Sequence, residues 1–237
     1  HLEVLVNRLR REMRVDAKVG KPRVSYRETV SAVAEHEEEF TRPISGKEAY
    51  AEVKLRVEPY SPPPGKPHIA FANNMSHESP VHPFFKAIEA AATDAAQTGV
   101  LAGYPMINVK VTLLDAQMHE VNSNELAFEA AARIAFDKAA ANAKPALMEP
   151  IMKVRVVMPE ANFGGVSGDL SRRRAVVTDS TVRGDRRVID ARVPLREMFG
   201  YATELRSLTA GRGNWSMEPS HYEIVPRQLA DTILGLV

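Results

Sequence analysis

Val193-Pro194-Leu195-Arg196-Glu197-Met198-Phe199-Gly200-Tyr201-Ala202-Thr203-Glu204-Leu205-Arg206-Ser207-Leu208-Thr209 decides the second half of this chain. It reads as the end of a strand (Arg187 to Val193) running into a helix (Leu195 to Ser207). Upstream stand a strand over Ile151 to Met158, a helix from about Asn162 to Arg172, and a strand over Ala175 to Thr181. Downstream come a strand over Gly213 to Glu218 and a terminal helix from Arg227 to Gly235. The first six elements spell β-α-β-β-α-β, the ferredoxin-like arrangement.

The first half alternates strands and helices differently. Val24 to Val30 and Ala32 to Arg42 read as strands. Tyr50 to Pro59 alternates cleanly, with Val53, Leu55 and Val57 facing one way and Glu52, Lys54, Arg56 and Glu58 the other. Ser61-Pro62-Pro63-Pro64-Gly65-Lys66-Pro67 breaks regular structure and reads as a connector. A helix is expected over Pro83 to Gln97 with an apolar stripe of Phe84, Ile88, Ala91, Ala92 and Ala95, stopped by Gly99. The strand Ile107 to Leu113 then leads to a turn near Asp115-Ala116-Gln117. Asn122-Ser123-Asn124-Glu125 suggests a capping box opening a helix that runs to about Asn142, with Asn122 as the cap. Lys144 and Pro145 end that helix, so a domain boundary is expected near Leu147. The fold class is α+β: two α/β sandwich-type domains, the second ferredoxin-like. At the other end, Leu2, Leu5, Val6 and Leu9 mark a helix that opens mid-element, and Val15 to Val19 reads as a short strand. The chain therefore reads as part of a longer protein.

The 237 residues carry 31 Lys+Arg against 30 Asp+Glu, a formal charge of +1, so no overall field identifies a nucleic-acid partner. Any RNA contact must come from local arginines. Cysteine is absent, which excludes disulfides and thiolate metal sites and fits a cytoplasmic protein. No apolar run is long enough to span a bilayer, and no membrane partner is expected. No G-x-x-x-x-G-K-[S/T] phosphate loop occurs. Gly164-Gly165-Val166-Ser167-Gly168 fits neither a dinucleotide fingerprint nor a nucleophile elbow; its glycines read as permitting close approach of a neighbouring backbone. His68, His77 and His82 lack the spacing of a helical zinc site, and the acids of Glu35-His36-Glu37-Glu38-Glu39 alternate faces on a strand, as in a charge-guarded edge. No metal site and no catalytic constellation are expected.

The quoted run resembles the signature near the C-terminus of translation elongation factor G. Leu147-Met148-Glu149-Pro150-Ile151-Met152-Lys153-Val154, Gly168-Asp169-Leu170-Ser171-Arg172-Arg173-Arg174, Gly211-Arg212-Gly213 and His221-Tyr222-Glu223 stand in the family's order around it. The resemblance covers nearly the whole chain and is weakest between about Thr41 and Pro83. It implies the end of a third domain over 1–20, the fourth domain over 21–147 with a ribosomal-protein-like left-handed βαβ crossover, and the fifth over 148–237. It further implies a monomer acting in translocation, whose partners are the ribosome and the tRNA–mRNA in the A site of the small ribosomal subunit. The parent would be a GTPase, with GTP and Mg in an N-terminal domain outside this chain. This chain itself would hold no cofactor and perform no catalysis.

By the same resemblance, His119-Glu120-Val121-Asn122-Ser123 matches a loop at the tip of the fourth domain, making His119 and Glu120 decoding-centre candidates. An imidazole there can hydrogen-bond RNA through either nitrogen. Ser45-Gly46-Lys47-Glu48-Ala49-Tyr50-Ala51 stands where the family carries Gly-Gly-Arg-Gly-Gln-Tyr-Gly at the second tip loop, so Gly46 and Lys47 join the candidates. Arg172, Arg173, Arg174, Arg206 and Arg212 are rRNA-binding candidates, since arginine's planar fork suits phosphate. Charge alone favours the plainer reading, in which the first three cap a helix C-terminus. The altered second loop leaves open a specialised paralogue for ribosome recycling or antibiotic protection. A stand-alone RNA-binding or protein-interaction module is the other alternative.

Overall fold

Alternation along one strand builds the first sheet. In β3 (Lys47–Pro59), Ala49, Ala51, Val53, Leu55 and Val57 are buried, while Tyr50, Glu52, Lys54, Arg56 and Glu58 face outward. β3 pairs antiparallel with β2 (Ala34–Ile44) and with β5 (Val109–Gln117), and β4 (Ile69–Asn73) adds parallel to β5, giving the order β2-β3-β5-β4. The acidic run of β2 is cross-paired in register on the outer face: Glu35 bonds Arg56 at 2.7 Å and Glu37 lies 3.6 Å from Lys54. Such pairs oppose charge across the ladder and favour this register over a slipped one. The computed structural model describes residues 23–44 and 46–236; the expected Leu2–Glu12 helix, the Val15–Val19 strand and the segment 1–20 lie outside them.

Two helices cover the inner face. α1 (Phe85–Ala95) and α2 (Glu125–Asn142) bury Ile88, Phe128 and Phe136 fully, together with Ala127, Ala131, Ala132, Ala135, Ala139 and Ala140. Alanine loses almost no side-chain entropy on burial, so an alanine-rich face admits a helix to the sheet at low cost. Phe84 stacks on Phe128 with centroids 4.7 Å apart, clamping α1 to α2.

The second sheet is antiparallel and carries the predicted β-α-β-β-α-β order: β6 (Pro145–Pro159), α3 (Phe163–Arg172), β7 (Val176–Arg183), β8 (Arg186–Pro194), α4 (Tyr201–Leu208) and β9 (Asn214–Ile224). β6 lies between β8 and β9, and β7 forms the edge beyond β8. Val154, Val156, Met158, Ile189, Ala191 and Val193 meet Val166, Leu170, Tyr201 and Leu205 in its core. α5 (Arg227–Leu234) follows, and Leu229, Ala230 and Ile233 pack toward Tyr26, Leu147 and Val225.

A short strand joins the two sheets. β1 (Arg27–Val30) pairs antiparallel with the start of β6, and Glu28 bridges Met106 through Glu28 N–H to Pro105 O and Ile107 N–H to Glu28 O. The Glu28 side chain is fully buried. Its two carboxylate oxygens accept the backbone N–H groups of Val100 (2.6 Å), Leu101 (2.8 Å), Ala102 (2.9 Å) and Tyr104 (3.0 Å). Four donors satisfy an anion that would otherwise be too costly to bury. Gly99 makes the nest fit: it sits at φ +57°, and a Cβ there would lie 2.3 Å from the Tyr104 carbonyl and 2.5 Å from the Glu28 carboxyl.

Several expectations need correction. β5 continues through Asp115-Ala116-Gln117, the expected turn, because the ladder absorbs one extra residue as an irregularity at Lys54/Leu55. The helix cap is Asn124, whose side chain accepts from Ala127 N–H at 2.9 Å; Asn122 instead gives its carbonyl to Tyr50 N–H. The expected Leu195–Ser207 helix is split into a 3-10 turn (Leu195–Met198) and α4 by Gly200 at φ +75°. Strand β4 was not anticipated. Gly164 and Gly168 face open space and Gly165 would meet only Leu208 at 3.6 Å, so no close backbone explains them.

Glu28→Gln should lower the melting temperature by several degrees. The amide turns an NH2 toward backbone donors and strips charge from the surviving bonds, a loss of about 1–3 kcal/mol. A melting curve superimposable on the parent's would show that the nest does not hold the joint.

Candidate nucleic-acid interface

The end of the first sheet distal to β1 carries two loops: the β2–β3 turn around Gly46, and residues 118–124 between β5 and α2. Gly46 supplies φ +81° for its turn, a conformation glycine adopts without strain. The second loop is tied to β3 at Tyr50. His119 N–H donates to Ser123 Oγ (2.8 Å), Ser123 O–H donates to the Tyr50 carbonyl (2.7 Å), and Tyr50 N–H donates to the Asn122 carbonyl (3.0 Å). Ser123 N–H closes the second loop on His119 O at 3.1 Å. The backbone of residues 119–123 is thus fixed against β3, while the His119, Glu120 and Lys47 side chains are exposed. The His119 ring lies 6.4 Å from the Tyr50 ring, edge to face. Tyr50 O–H donates to Glu52 at 2.9 Å, and burial together with that carboxylate pushes its phenol up to about 12. It therefore remains a neutral donor at neutral pH.

The five arginines fall into different environments. Arg173 caps α3 and is mostly buried: it bonds Asp169 at 2.7 Å, reaches the carbonyls of Glu197 and Phe199, and lies over the Tyr201 ring. Arg174, at φ +60°, bonds the fully buried Glu149 at 2.6 Å and approaches Glu197 at 3.8 Å. The Glu149 hydrogen bond raises its pKa against the opposing effect of burial. Arg172 is the exposed member, touching Asp169 weakly at 3.4 Å. Arg206 and Arg212 are exposed around the C-terminal turn of α4, which Gly211 N–H closes on the Arg206 carbonyl at 2.8 Å. Asn162, just before α3, donates to the Leu208 carbonyl at 3.0 Å, so that turn adjoins the start of α3. Arg172, at the other end of α3, is about one helix length away, roughly 15 Å. The structure thus gathers Arg206 with Arg212, separates Arg172 from them, and gives Arg173 and Arg174 internal partners.

Sequence reasoning did not single out Ser123 or Tyr50, although both stand in the quoted tip segments. Ser123 carried a signal, since a serine beside a helix start often bonds backbone, but its acceptor on a strand 73 residues away is invisible locally. Among the described residues no group of three or more His, Cys, Asp or Glu could hold a metal, and no helix is long and apolar enough to cross a membrane.

Residues 22–144 match the family model for elongation factor G, domain IV, and residues 146–233 the model for the elongation factor G C-terminus. A crystal structure of a Thermus thermophilus protein superposes with a TM-score of 0.85 at 36% identity, covering 100% of this chain. The chain spans 35% of that protein's length.

Arg173→Ala should destabilise the chain by about 3 kcal/mol, because it leaves Asp169 buried without its main partner. Arg172→Ala should stay within about 0.5 kcal/mol. Chemical denaturation of both variants checks this, and equal midpoints would remove the distinction drawn between the two arginines.

Proposed function

The chain belongs to the elongation factor G family, and we propose that it is the ribosome-contacting C-terminal part of a translational GTPase that promotes tRNA–mRNA translocation. In this reading the first domain is an arm whose tip enters the A site of the small ribosomal subunit. The second domain docks on large-subunit RNA through Arg172, Arg206 and Arg212. GTP and Mg2+ belong to a domain outside these residues, so the work of this chain is positional rather than catalytic.

One observation carries the reading: a loop tied to β3 through Ser123 and Tyr50 presents His119 at the end of the sheet. A group meant to act against RNA in a confined site needs a fixed backbone beneath an exposed, adaptable side chain. The exposed arginines supply the complementary contact. Each phosphate they neutralise releases condensed counterions, which a chain of net charge +1 cannot achieve through bulk attraction.

Binding of the chain to purified bacterial ribosomes should weaken as salt rises, and Arg172→Ala, Arg206→Ala and Arg212→Ala should each reduce the salt slope by about one. A slope untouched by all three replacements sinks the docking assignment.

His119→Ala should leave the melting temperature nearly unchanged, since the ring is exposed and such changes usually cost within about 0.5 kcal/mol. In the full-length parent it should slow tRNA–mRNA movement while sparing ribosome-stimulated GTP hydrolysis. A well-folded variant that translocates normally would point instead to a recycling or protection paralogue, a reading favoured by Glu48 and Ala51, which stand where the family's second tip loop carries glycine.

A further inference from the structure

Between the ends of β2 and β3 and the 118–124 loop lies a cleft of about 240 Å3 lined by Arg42, Glu48, Tyr50, His119 and Asn122. Its volume falls below the ~300–1,000 Å3 typical of sites for drug-sized ligands, which suits one planar ring system rather than a larger molecule. We propose that this cleft seats a single unstacked nucleobase of single-stranded RNA. The proposal rests on the ribosomal reading only for where such a base would be met.

Three features favour a base. Two aromatic rings, Tyr50 and His119, stand edge to face at 6.4 Å, so a base stacking on one would present its edge to the other. Stacking on aromatic side chains is the sequence-tolerant means by which proteins hold unpaired bases. The rim mixes donor and acceptor chemistry: Arg42 donates, Glu48 accepts, and the Asn122 amide can do both. That is the complement of a base edge, and it differs from an anion site, where an acidic rim residue would be repulsive. Finally, Arg42 and Lys47 have no acidic partner among the described residues, leaving both free for the flanking phosphates.

The cleft is also preorganised. The hydrogen bonds through Ser123 fix the His119 backbone against the Tyr50 backbone, while Glu52 holds the Tyr50 hydroxyl. The wall positions therefore exist before a ligand arrives, and binding does not have to order the 118–124 loop. Ser123 is a positioning residue here, acting through His119 and Tyr50.

The test is an NMR titration of the chain with a tetranucleotide of RNA, an abasic oligonucleotide of equal length, and inorganic phosphate. Saturable shifts at Tyr50, His119 and Asn122 with the tetranucleotide alone support the seat. His119→Ala should then weaken binding at least about fivefold, the lower end of a stacking loss. Ser123→Ala should also weaken it, with loss of exchange protection at the His119 amide, and Ser123→Thr should restore both. Equal shifts with phosphate or the abasic strand mean an anion patch only and overturn the proposal. So does an absence of shifts, or a Ser123→Ala variant that loses amide protection yet binds normally. Ribosome binding measured on the same samples separates the two readings. If it persists without tetranucleotide binding, only the base seat fails; if it is absent while the base binds, only the ribosomal reading fails.

Discussion

The buried Glu28 carboxylate is the constraint on which the arrangement of the two domains depends. It lies on a strand of four residues that pairs with β6 of the second domain, while its side chain collects four N–H groups from the first. A strand this short contributes few ladder bonds, so the side chain carries much of the joint. Removing an acceptor from four buried donors would leave several groups unsatisfied at once. β3 then runs from the joint end to the tip. Thirteen residues at ~3.3 Å each make a rod of about 40 Å, so a small change of angle at β1 becomes a large displacement at His119. A well-satisfied buried anion at the base is what lets a long sheet behave as one arm.

The same economy of charge separates structure from binding in the second domain. Arg173 and Arg174 close the end of α3 by meeting Asp169 and Glu149, both buried. The closure requires Arg174 at positive φ, and Ala175 N–H returns to the Leu170 carbonyl, the pattern by which a left-handed residue ends a helix. Cations at a helix C-terminus are favoured by the dipole as well. Two of three adjacent arginines are therefore committed to holding α3 against β6 and the 3-10 turn at Leu195–Met198. The third is left in solvent. A basic run in sequence is consequently a poor measure of the charge a surface can offer.

Much of the fold was legible because one period dominated each segment. β3 alternates without exception from Ala49 to Glu58, and the second domain's element order emerged from strand and helix patterns alone. Failures occurred where a distant partner decided the outcome. Strand β4 has no alternation, with all of Ile69 to Ala72 half-buried; it exists because β5 offers a parallel edge. β5 was cut short at Asp115 because a polar residue beside alanine resembles a turn, whereas the ladder to β3 carries it onward. Glu28 looked like any other acid in a strand. Its role depends on a nest formed more than 70 residues later, and Gly99, read only as a helix stop, is what opens that nest.

The candidate site was legible in composition but not in arrangement. His119 and Lys47 stand out as exposed residues, yet neither shows in sequence that the 118–124 loop is bonded to β3. Ser123 makes that bond, since its hydroxyl accepts from His119 within the loop and donates to Tyr50 in β3. A hydroxyl is suited to this because it accepts and donates through one atom; alanine there would leave His119 N–H and the Tyr50 carbonyl without those partners. Exposed side chains nearby, the oppositely charged Lys47 and Glu48 among them, can then differ without loosening the frame. Rigidity resides in the backbone bonds around Tyr50 and Ser123, not in the side chains that project beyond them.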